Sequence, residues 1–450
     1  MILNETVMGV AIPRLMASLS VTASAAQWLT TAFLITMAVV IPVTGFLMQR
    51  LNTRPVFLVA MAFFDTGTLI CAVAPGLEVL IVGRVVQAMG TAIMFPLLMT
   101  TIMTLVPEQM RGRVMGNVSI VISVAPALGP TISGLILNAL EWRFLFIVVL
   151  PIALGATALG ALRLVNVAHL RKVPLDVVSV PLSALAFGGL VYGLSSFGSG
   201  RVNWVGIGTL LSGVIAMAIL VLRQIRLSRE DKALLDFGVF RSGNFARAQG
   251  MMLISMATLF GAIILLPIYL QNVLKASTLT TGLLFLPGGL VMGLMAPSVG
   301  RLYDRFGTRP LIVPGAFLVS SVLWALTRIG TGTSLAAILI GHVVISVGFG
   351  LLFTPLFTAA LSSVPAHRYG HASAIAGAFQ QLAGAAGVAL FIAIMSANAS
   401  SLQAAGVSPA EALTHGIRSA FLLGAVLSLV FVLLSFFVRK PASPDAPPTH

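Results

Sequence analysis

The sequence predicts an all-α protein that crosses a membrane many times. Hydrophobic residues make up 58% of the 450 residues and charged residues only 8%, against roughly 25% charged in an ordinary globular chain. The mean hydropathy is +1.05. The apolar residues occur in runs of about 20, the length of a helix that spans a bilayer, and the runs do not alternate as the strands of a membrane barrel do.

Fourteen such runs, separated by charged residues or by Pro and Gly, are predicted to be transmembrane helices. We expect six-helix bundles over residues 1–165 and 247–440, an inserted helix pair at 166–225, a cytoplasmic linker at 226–246 and a disordered tail at 441–450. The first run begins at Met1 with no charged residues before it. We therefore expect the natural start of the chain to lie upstream.

The positive charges indicate how these helices are oriented. The net charge is +14, and placing the loop at 49–54 inside puts 19 of the 26 Lys and Arg residues on the cytoplasmic side and six outside. This bias follows the positive-inside rule. The prediction is therefore a protein of the inner cell membrane with both termini in the cytoplasm.

Several other classes of protein find no support in the sequence. No basic module with interleaved aromatic residues indicates nucleic-acid binding, and the lone Cys71 excludes a disulfide framework. There is no Gly-rich phosphate loop to bind ATP, no metal-binding set and no catalytic arrangement typical of an enzyme. We expect a monomer without cofactors, whose partners are a small-molecule substrate, protons and the lipid bilayer. Whether a periplasmic adaptor protein also binds is left open.

Two loops repeat one another. Gly45–Pro55 and Gly300–Pro310, hereafter the first and second repeat loops, are identical at six of eleven positions. Each follows an even-numbered predicted helix on the predicted cytoplasmic side. Two halves related by such parallel repeats are typical of transporters.

The second repeat loop resembles the G-x-L-x-D-R-x-G-R signature of the major facilitator superfamily. Leu3–Pro13, Arg84–Gly90 and Ala125–Gly134 are similar, in this order, to motifs in the first, fourth and fifth helices of the fourteen-helix drug:proton antiporters (EmrB/QacA type). The resemblance implies the major facilitator fold with two inserted helices, and the export of lipophilic or cationic drugs in exchange for protons by alternating access. One alternative is a dedicated exporter of a single endogenous metabolite, antibiotic or siderophore. Another is a membrane scaffold or sensor that keeps the fold without transport.

Three ionisable residues are predicted roughly 14–18 Å from a helix end, near the middle of the membrane, where a charge is costly and usually functional. They are Glu5, Asp65 and Arg84. We expect Glu5 to carry the coupling proton, and Arg84 either to orient the Glu5 carboxyl or to relay the proton through water. The alternative is a permanent Glu5–Arg84 pair that only joins two helices. Many relatives carry aspartate at the Asn4 position, so the acid is displaced by one residue here. Asp65 is a second proton site, a counter-charge for a cation, or a residue facing a hydrated gap.

The remaining candidates concern the substrate cavity and the conformational change. Gly129-Pro130 is predicted to kink the fifth helix. The repeat loops are predicted conformational locks, in which Gly45 and Gly300 allow close packing and Asp304 supplies a carboxylate that Gln49 replaces in the first copy. The loop arginines, which can pair with acids or cap helices, are Arg50, Arg54, Arg305 and Arg309. Aromatic and amide groups suit bulky cations; the cavity candidates are Trp28, Phe33, Gln87, Tyr269, Gln271, Phe379, Gln380 and Gln381. His367 and His371 flank a turn and are expected to be solvated.

Overall fold

The computed structural model describes residues 14–21, 23–166, 176–198, 204–228 and 233–440, together with Met8 and Ala11. All the regular secondary structure of these residues is helical, as predicted. The helices, numbered along the chain, are residues 14–19 (α1), Ala23–Arg50 (α2), Thr53–Ala72 (α3), Leu77–Leu105 (α4), Arg111–Ala139 (α5), Phe144–Ile147 with Val149–Arg163 (α6), Ser179–Ser183 continued by Ala184–Gly188 and Gly189–Gly198 (α7), Trp204–Ser228 (α8), Gly243–Ile268 (α9), Thr278–Phe306 (α10), Arg309–Leu326 (α11), Leu335–Ser362 (α12), Tyr369–Ala404 (α13) and Pro409–Ser435 (α14).

These helices have the composition of an integral membrane protein. Among the described residues, eleven helical segments are long and apolar enough to cross a membrane, and α7 contributes a shorter apolar helix at Ser179–Leu194. The predicted count of fourteen spans stays a prediction.

The chain forms two compact units. Unit 1 comprises Met1–Thr101, Ala125–Phe237 and His367–Leu382, and unit 2 comprises Ile102–Val124, Gly238–Ala366 and Ala383–His450. Each unit therefore contains one helical piece from the other half of the sequence: the start of α13 belongs to unit 1 and the start of α5 to unit 2. The division predicted from the sequence, at 165 and 247, is a different partition and also stays a prediction.

Unit 1 buries two apolar clusters at different levels of α3. One cluster includes Cys71 and Ala72 with Leu80 of α4, and the other includes Phe57 and Phe64 with further residues of α4 and α6. Burial of such side chains is worth roughly 1.5–3 kcal/mol each relative to water. Asp65 and Thr68, the polar residues of α3 described below, lie between these two clusters in the sequence. Apolar packing therefore fixes the helix on both sides of them.

In unit 2, α12 packs against α9, α10 and α11, and α14 packs against α9 and α11. Serine side chains define where four of these helices begin, because each hydroxyl accepts a hydrogen bond from a main-chain N–H of the first turn. These N-caps are Ser242, Ser277, Ser334 and Ser408. The Ser408 hydroxyl also donates to the Glu411 carboxylate at 2.9 Å, which links the N-cap side chain to the first turn of α14.

Two backbone features mark the ends of helices in unit 2. Pro267 lies inside α9 and lacks an N–H donor, and a π-helical turn, Tyr269–Val273, follows it. At the end of α10, Gly307 has φ of +81°. Glycine adopts this conformation without the strain that a Cβ would add, so the second repeat loop turns directly from α10 into α11.

A charged group joins α7 to α8 in unit 1. The Asp176 carboxylate accepts two hydrogen bonds from Arg223, each 2.8 Å long, and one from Ser179. Gln224 donates to Ser179 and accepts from the N–H of Leu235. The hydrogen bonds from Arg223 lower the pKa of the Asp176 carboxyl to about 2. These contacts thus fasten α7 to α8 near the end of α8.

We predict that Asp176→Asn destabilises the protein equally at about pH 5 and about pH 8. The folded pKa lies below the ordinary value of about 3.9, so the ionised group stabilises the fold above that value, and the effect is lost as the pH falls through about 2. Thermal unfolding of the detergent-purified protein measures this difference. Glu141→Gln is the control, because the Glu141 side chain is 74% exposed and 3.5 Å from Arg143. A difference that grows from pH 5 to pH 8 would contradict the assignment.

Candidate functional site

A polar network inside unit 1 surrounds Arg84 of α4, whose side chain has no exposed surface. Its Nη1 donates to Gln87 Oε1 at 2.8 Å, and its Nε donates to the Leu29 carbonyl of α2 at 3.4 Å. Gln87 in turn donates to Thr68 of α3 at 2.7 Å. The guanidinium carbon lies 4.0 Å from the centre of the Phe33 ring, which is a cation–π contact. Three helices therefore contribute to the environment of one buried cation.

Glycines bring α3 and α4 close enough to build this network. A Cβ on Gly67 would overlap the main-chain nitrogen of Gln87, and a Cβ on Gly90 would overlap the carbonyl of Ala60. A Cβ on Gly83 would lie 2.6 Å from Cys71 Sγ. Small residues are the usual means by which membrane helices approach one another. Here they set the distance from which Gln87 reaches Thr68.

Asp65 lies on α3 and faces α6. It is 8% exposed, and one carboxylate oxygen accepts a hydrogen bond from Thr157 at 2.7 Å. The other oxygen is buried and has no hydrogen-bond partner among the described residues. Leaving an acceptor of a buried carboxyl without a partner is unfavourable. Asp65 is thus a second buried ionisable group in this unit, held by a different helix from the one that carries Arg84.

The other sequence candidates in unit 1 occupy different surroundings. Phe33 and Gln87 belong to the Arg84 network. Trp28 is 43% exposed and stacks on Tyr192 of α7, with ring centres 5.8 Å apart. Gln381 of α13 contacts the Met37 sulfur of α2 at 3.7 Å. Gln380 is half-buried, and the neighbouring Phe379 packs edge-on against Phe187 of α7. Glu5 lies outside the described residues.

Two cavity candidates belong to unit 2. Tyr269 has no exposed surface, and its hydroxyl donates to the Gly330 carbonyl at 2.5 Å. The Arg418 side chain donates to the adjacent carbonyl of Ile329. These contacts hold the loop between α11 and α12. Gln271, two residues further along the same π-helical turn, is exposed. The structure thus gives Tyr269 a structural role in this loop.

The second repeat loop joins α10 to the start of α5. Asp304 accepts hydrogen bonds from the main-chain N–H groups of Gly112 at 2.8 Å and Arg113 at 2.7 Å. A carboxylate at these first N–H groups caps the helix and opposes its dipole. Gly300 packs directly on the carbonyl of Gly112, with no room for a Cβ, and Gly116 packs in the same way on Ala296.

The first repeat loop makes the corresponding contact in unit 1 without a carboxylate. Gln49 is hydrogen-bonded to His371 near the start of α13, and a Cβ on Gly45 would lie 3.4 Å from Ala374. The expectation that His371 is solvated was wrong: it is only 7% exposed, because α2 and the linker cover it. His367 is exposed as expected. The first copy therefore has a neutral amide–imidazole contact in place of a charged one.

The arginines of both repeat loops lie at the surface. Arg50 lies 5.8 Å from the Phe46 ring centre and Arg305 lies 5.0 Å from that of Phe306. The main-chain N–H of Arg54 donates to the Asn166 side chain, and Arg309 is the first residue of α11. Gly129 is buried within α5. The side chain of Pro130 is outside the described part of the structure, so the predicted kink stays a prediction.

Sequence reasoning missed three groups that the structure brings together. Thr68 and Thr157 are ordinary residues of apolar helices, and no local pattern distinguishes them from threonines that bond only to their own helix. Asp236 of the linker pairs with Arg368 at 2.9 Å. That pair is encoded by residues more than a hundred positions apart, so only the fold reveals it.

Comparison with known structures first identifies the fold. The crystal structure of the human organic anion transporter MFSD10 (TETRAN) superposes with a TM-score of 0.67 and 13% sequence identity, covering 96% of each chain. This likeness shows that the fold is one used by membrane transporters.

Comparison of the sequence then identifies the family. The Major Facilitator Superfamily model matches residues 1–388. The chain therefore belongs to the major facilitator superfamily, and it is a transporter rather than an enzyme.

Two relatives are similar over nearly their whole length. The chain is 39% identical to an uncharacterized MFS-type transporter, YcnB, of Bacillus subtilis, covering 98% of this chain and 93% of the relative. It is also 39% identical to the lincomycin resistance protein LmrB of Listeria monocytogenes, covering 97% of this chain and 93% of the relative.

We predict that Gly67→Ala loosens the Arg84 network and destabilises the protein by about 1–3 kcal/mol, the usual cost of overpacking. The new methyl group would overlap Gln87, so α3 and α4 would have to separate. Thermal unfolding in detergent measures the effect. Gly155→Ala in α6 is the matched control, because a Cβ there meets nothing within 4 Å. Equal stability of the two variants would refute the packing argument.

Proposed function

We propose that this transporter exports drugs, lipophilic or cationic ones, in exchange for protons. The fully buried Arg84 network is the observation on which the proposal rests, because a cation inside a membrane-spanning helix bundle is retained for a function. The resistance function in the name of the Listeria relative supports drug export. The resemblance of the first-, fourth- and fifth-helix motifs to those of the fourteen-helix antiporters supports exchange over uptake.

The proposed coupling reaction is a competition between a proton and a cationic substrate. Glu5, in the first-helix motif, binds the proton, and Arg84 orients its carboxylate and favours its ionised form when the two are close. Proton binding to Glu5 removes the charge that holds a cationic substrate. Entry of a proton down its gradient then releases the substrate on the outer side, and loss of the proton inside restores the site.

Asp65 is the second candidate for a proton-binding residue. Its buried carboxyl has one oxygen without a partner among the described residues and a single hydrogen bond from Thr157. A proton on the unpartnered oxygen would remove a buried charge. We propose that Asp65 acts alongside Glu5 as a proton-binding residue. The Asp65→Asn variant separates the role of Asp65 from that of Glu5.

The repeat loops are proposed to hold the cytoplasmic ends of the helices together in one state of the transport cycle. This orientation follows the distribution of Lys and Arg over the loops, with both termini in the cytoplasm of a cell membrane protein. Asp304 would release the N–H groups of Gly112 and Arg113 when α5 separates from α10. The neutral Gln49–His371 contact would open with α13.

We predict that ethidium efflux from energised cells collapses in Glu5→Gln, because the amide cannot exchange a proton. The wild type should lose efflux to the same extent when an uncoupler dissipates the proton gradient. Lincomycin susceptibility of an efflux-deficient host provides a second measure of export. Asp65→Asn is compared in parallel, at equal amounts of inserted protein.

The outcomes of that experiment separate the alternatives. Efflux that survives Glu5→Gln but falls in Asp65→Asn moves the coupling role to Asp65. Wild-type efflux that is insensitive to the uncoupler refutes proton coupling. A correctly inserted wild type that exports neither compound refutes drug export and favours the dedicated exporter of one endogenous metabolite.

We predict that Asp304→Asn opens the α5–α10 contact. The amide oxygen cannot accept both N–H groups as a charged carboxylate does, and about 1.4 kcal/mol of lost stabilisation shifts a two-state equilibrium tenfold. Ser119, which accepts a hydrogen bond from Thr354 at 2.9 Å, is replaced by cysteine as a reporter. We expect its alkylation by N-ethylmaleimide to become about tenfold faster. Cys71, the only native cysteine and fully buried, gives little background.

Two matched variants test whether loss of the Asp304 charge causes the faster labelling. Asp304→Glu keeps the charge and should label more slowly than Asp304→Asn. Arg301→Gln changes an exposed charge on the same helix and should label like the wild type. Equal labelling rates in Asp304→Asn and the wild type would exclude this role for Asp304.

A further inference from the structure

Unit 2 contains a cavity of about 710 Å³ at the end where α9 begins and α14 ends. Three of its lining residues are basic, namely Arg247, Arg439 and Lys440, and none of the seven lining residues is acidic. The volume falls in the range of small-molecule sites, about 300–1,000 Å³. The chain thus places three cations around one concave surface that the transport mechanism above does not use.

Hydrogen bonds hold the walls of this cavity in place. Asn244 of α9 donates to Ser363 and to the Arg439 carbonyl, each at 2.7 Å, and accepts from the Arg439 N–H at 2.8 Å. Arg247 donates to the Phe437 carbonyl at 2.6 Å. The contacts to Arg439 use its main chain, so its guanidinium is not part of this scaffold.

The third cation is hydrogen-bonded to a main-chain carbonyl, while the charge of the Asp304 carboxylate acts on it only from a distance. The Lys440 ammonium donates to the main-chain carbonyl of Asp304 at 2.8 Å and lies 5.6 Å from the Tyr303 ring centre. The carboxylate of Asp304 instead accepts from the N–H groups of Gly112 and Arg113. Among the described residues, the lining of the cavity therefore carries a net positive charge, and an anion is the complementary ligand.

The position of the cavity indicates where the anion comes from. Two apolar helices end beside it, α9 at Gly243 and α14 at Ser435. Large aromatic side chains next to these ends are exposed: Phe436 by 45%, Phe437 by 57% and Phe306, the last residue of α10, by 54%. Apolar surface of this kind suits acyl chains, while Lys and Arg at the ends of transmembrane helices suit anionic headgroups.

We propose that this cavity binds the headgroup phosphate of an anionic phospholipid. Arg247 and Arg439 contact the phosphate, Lys440 adds to the positive field, and the acyl chains lie over the exposed phenylalanines. The proposal is independent of the transported substrate and of proton coupling. It predicts that the protein prefers anionic over zwitterionic lipids at one definable site.

The test is lipid binding to the purified full-length protein, measured by native mass spectrometry. The probes are dioleoyl phosphatidylglycerol and dioleoyl phosphatidylcholine, which share a phosphate but differ in net charge, and inorganic phosphate as the soluble anion. We expect the wild type to retain phosphatidylglycerol preferentially. The double variant Arg247→Gln/Arg439→Gln should bind it about thirtyfold more weakly, because each basic side chain near an anionic surface contributes about a fivefold gain in affinity.

Single variants keep the test decisive if the double variant folds poorly. Arg439→Gln leaves the main-chain hydrogen bonds to Asn244 intact and should weaken binding about fivefold, whereas Arg439→Lys should stay close to the wild type. Arg301→Gln, which removes an exposed charge from α10 outside the cavity, is the matched control and should bind as the wild type does.

Three results would overturn the proposal. One is equal retention of the two phospholipids by the wild type. Another is unchanged phosphatidylglycerol binding in Arg439→Gln and in the double variant. The third is binding of inorganic phosphate with displacement of the lipid at equal concentration, which would identify a soluble anion as the ligand.

Discussion

The bilayer core contains no water to solvate polar groups, and this constraint governs the structure. It acts most strongly on the buried, charged guanidinium of Arg84. A cation there is tolerated only where protein groups replace its hydration shell. Gln87 of the same helix, together with the carbonyl of Leu29 and the face of Phe33, does so, and the last two require α2 at a fixed distance. The same constraint makes all the described secondary structure helical, since an isolated strand would leave backbone groups without partners.

Composition and the length of the apolar runs were sufficient to predict the helical membrane fold, and the two repeat loops correctly indicated a transporter. Arg84 and Gln87 could be paired from the sequence because they lie three residues apart on one helix. Thr68, Thr157 and the Asp236–Arg368 pair could not, since their partners lie on distant segments of the chain. His371 looked solvated because it flanks a turn, and only packing against α2 and the linker buries it.

The two repeat loops show how one motif acquires two chemistries. Asp304 uses its charge on the first N–H groups of α5, whereas Gln49 uses a neutral contact with His371 of α13. A carboxylate at a helix N-terminus gains from the helix dipole, and an amide gains little. The contact in unit 2 is therefore the stronger of two contacts that occupy equivalent places in the repeat, and a change of state that breaks both would meet unequal resistance in the two halves.

The meeting of Gly300 with Gly112 has a mechanical consequence. Two main chains touch there with no side chain between them, and the N–H of Gly112 is bonded to the Asp304 carboxylate beside the contact. Separating the two main chains exposes little apolar surface, and the free-energy cost of exposure is roughly 25 cal/mol per Å² of that surface. The two glycines have no side-chain rotamer that must change before the surfaces meet again. A helix contact formed by interdigitating leucine side chains would need those side chains to repack at every closure. We therefore expect this contact between main chains to open and close without repacking of side chains at Gly300 and Gly112.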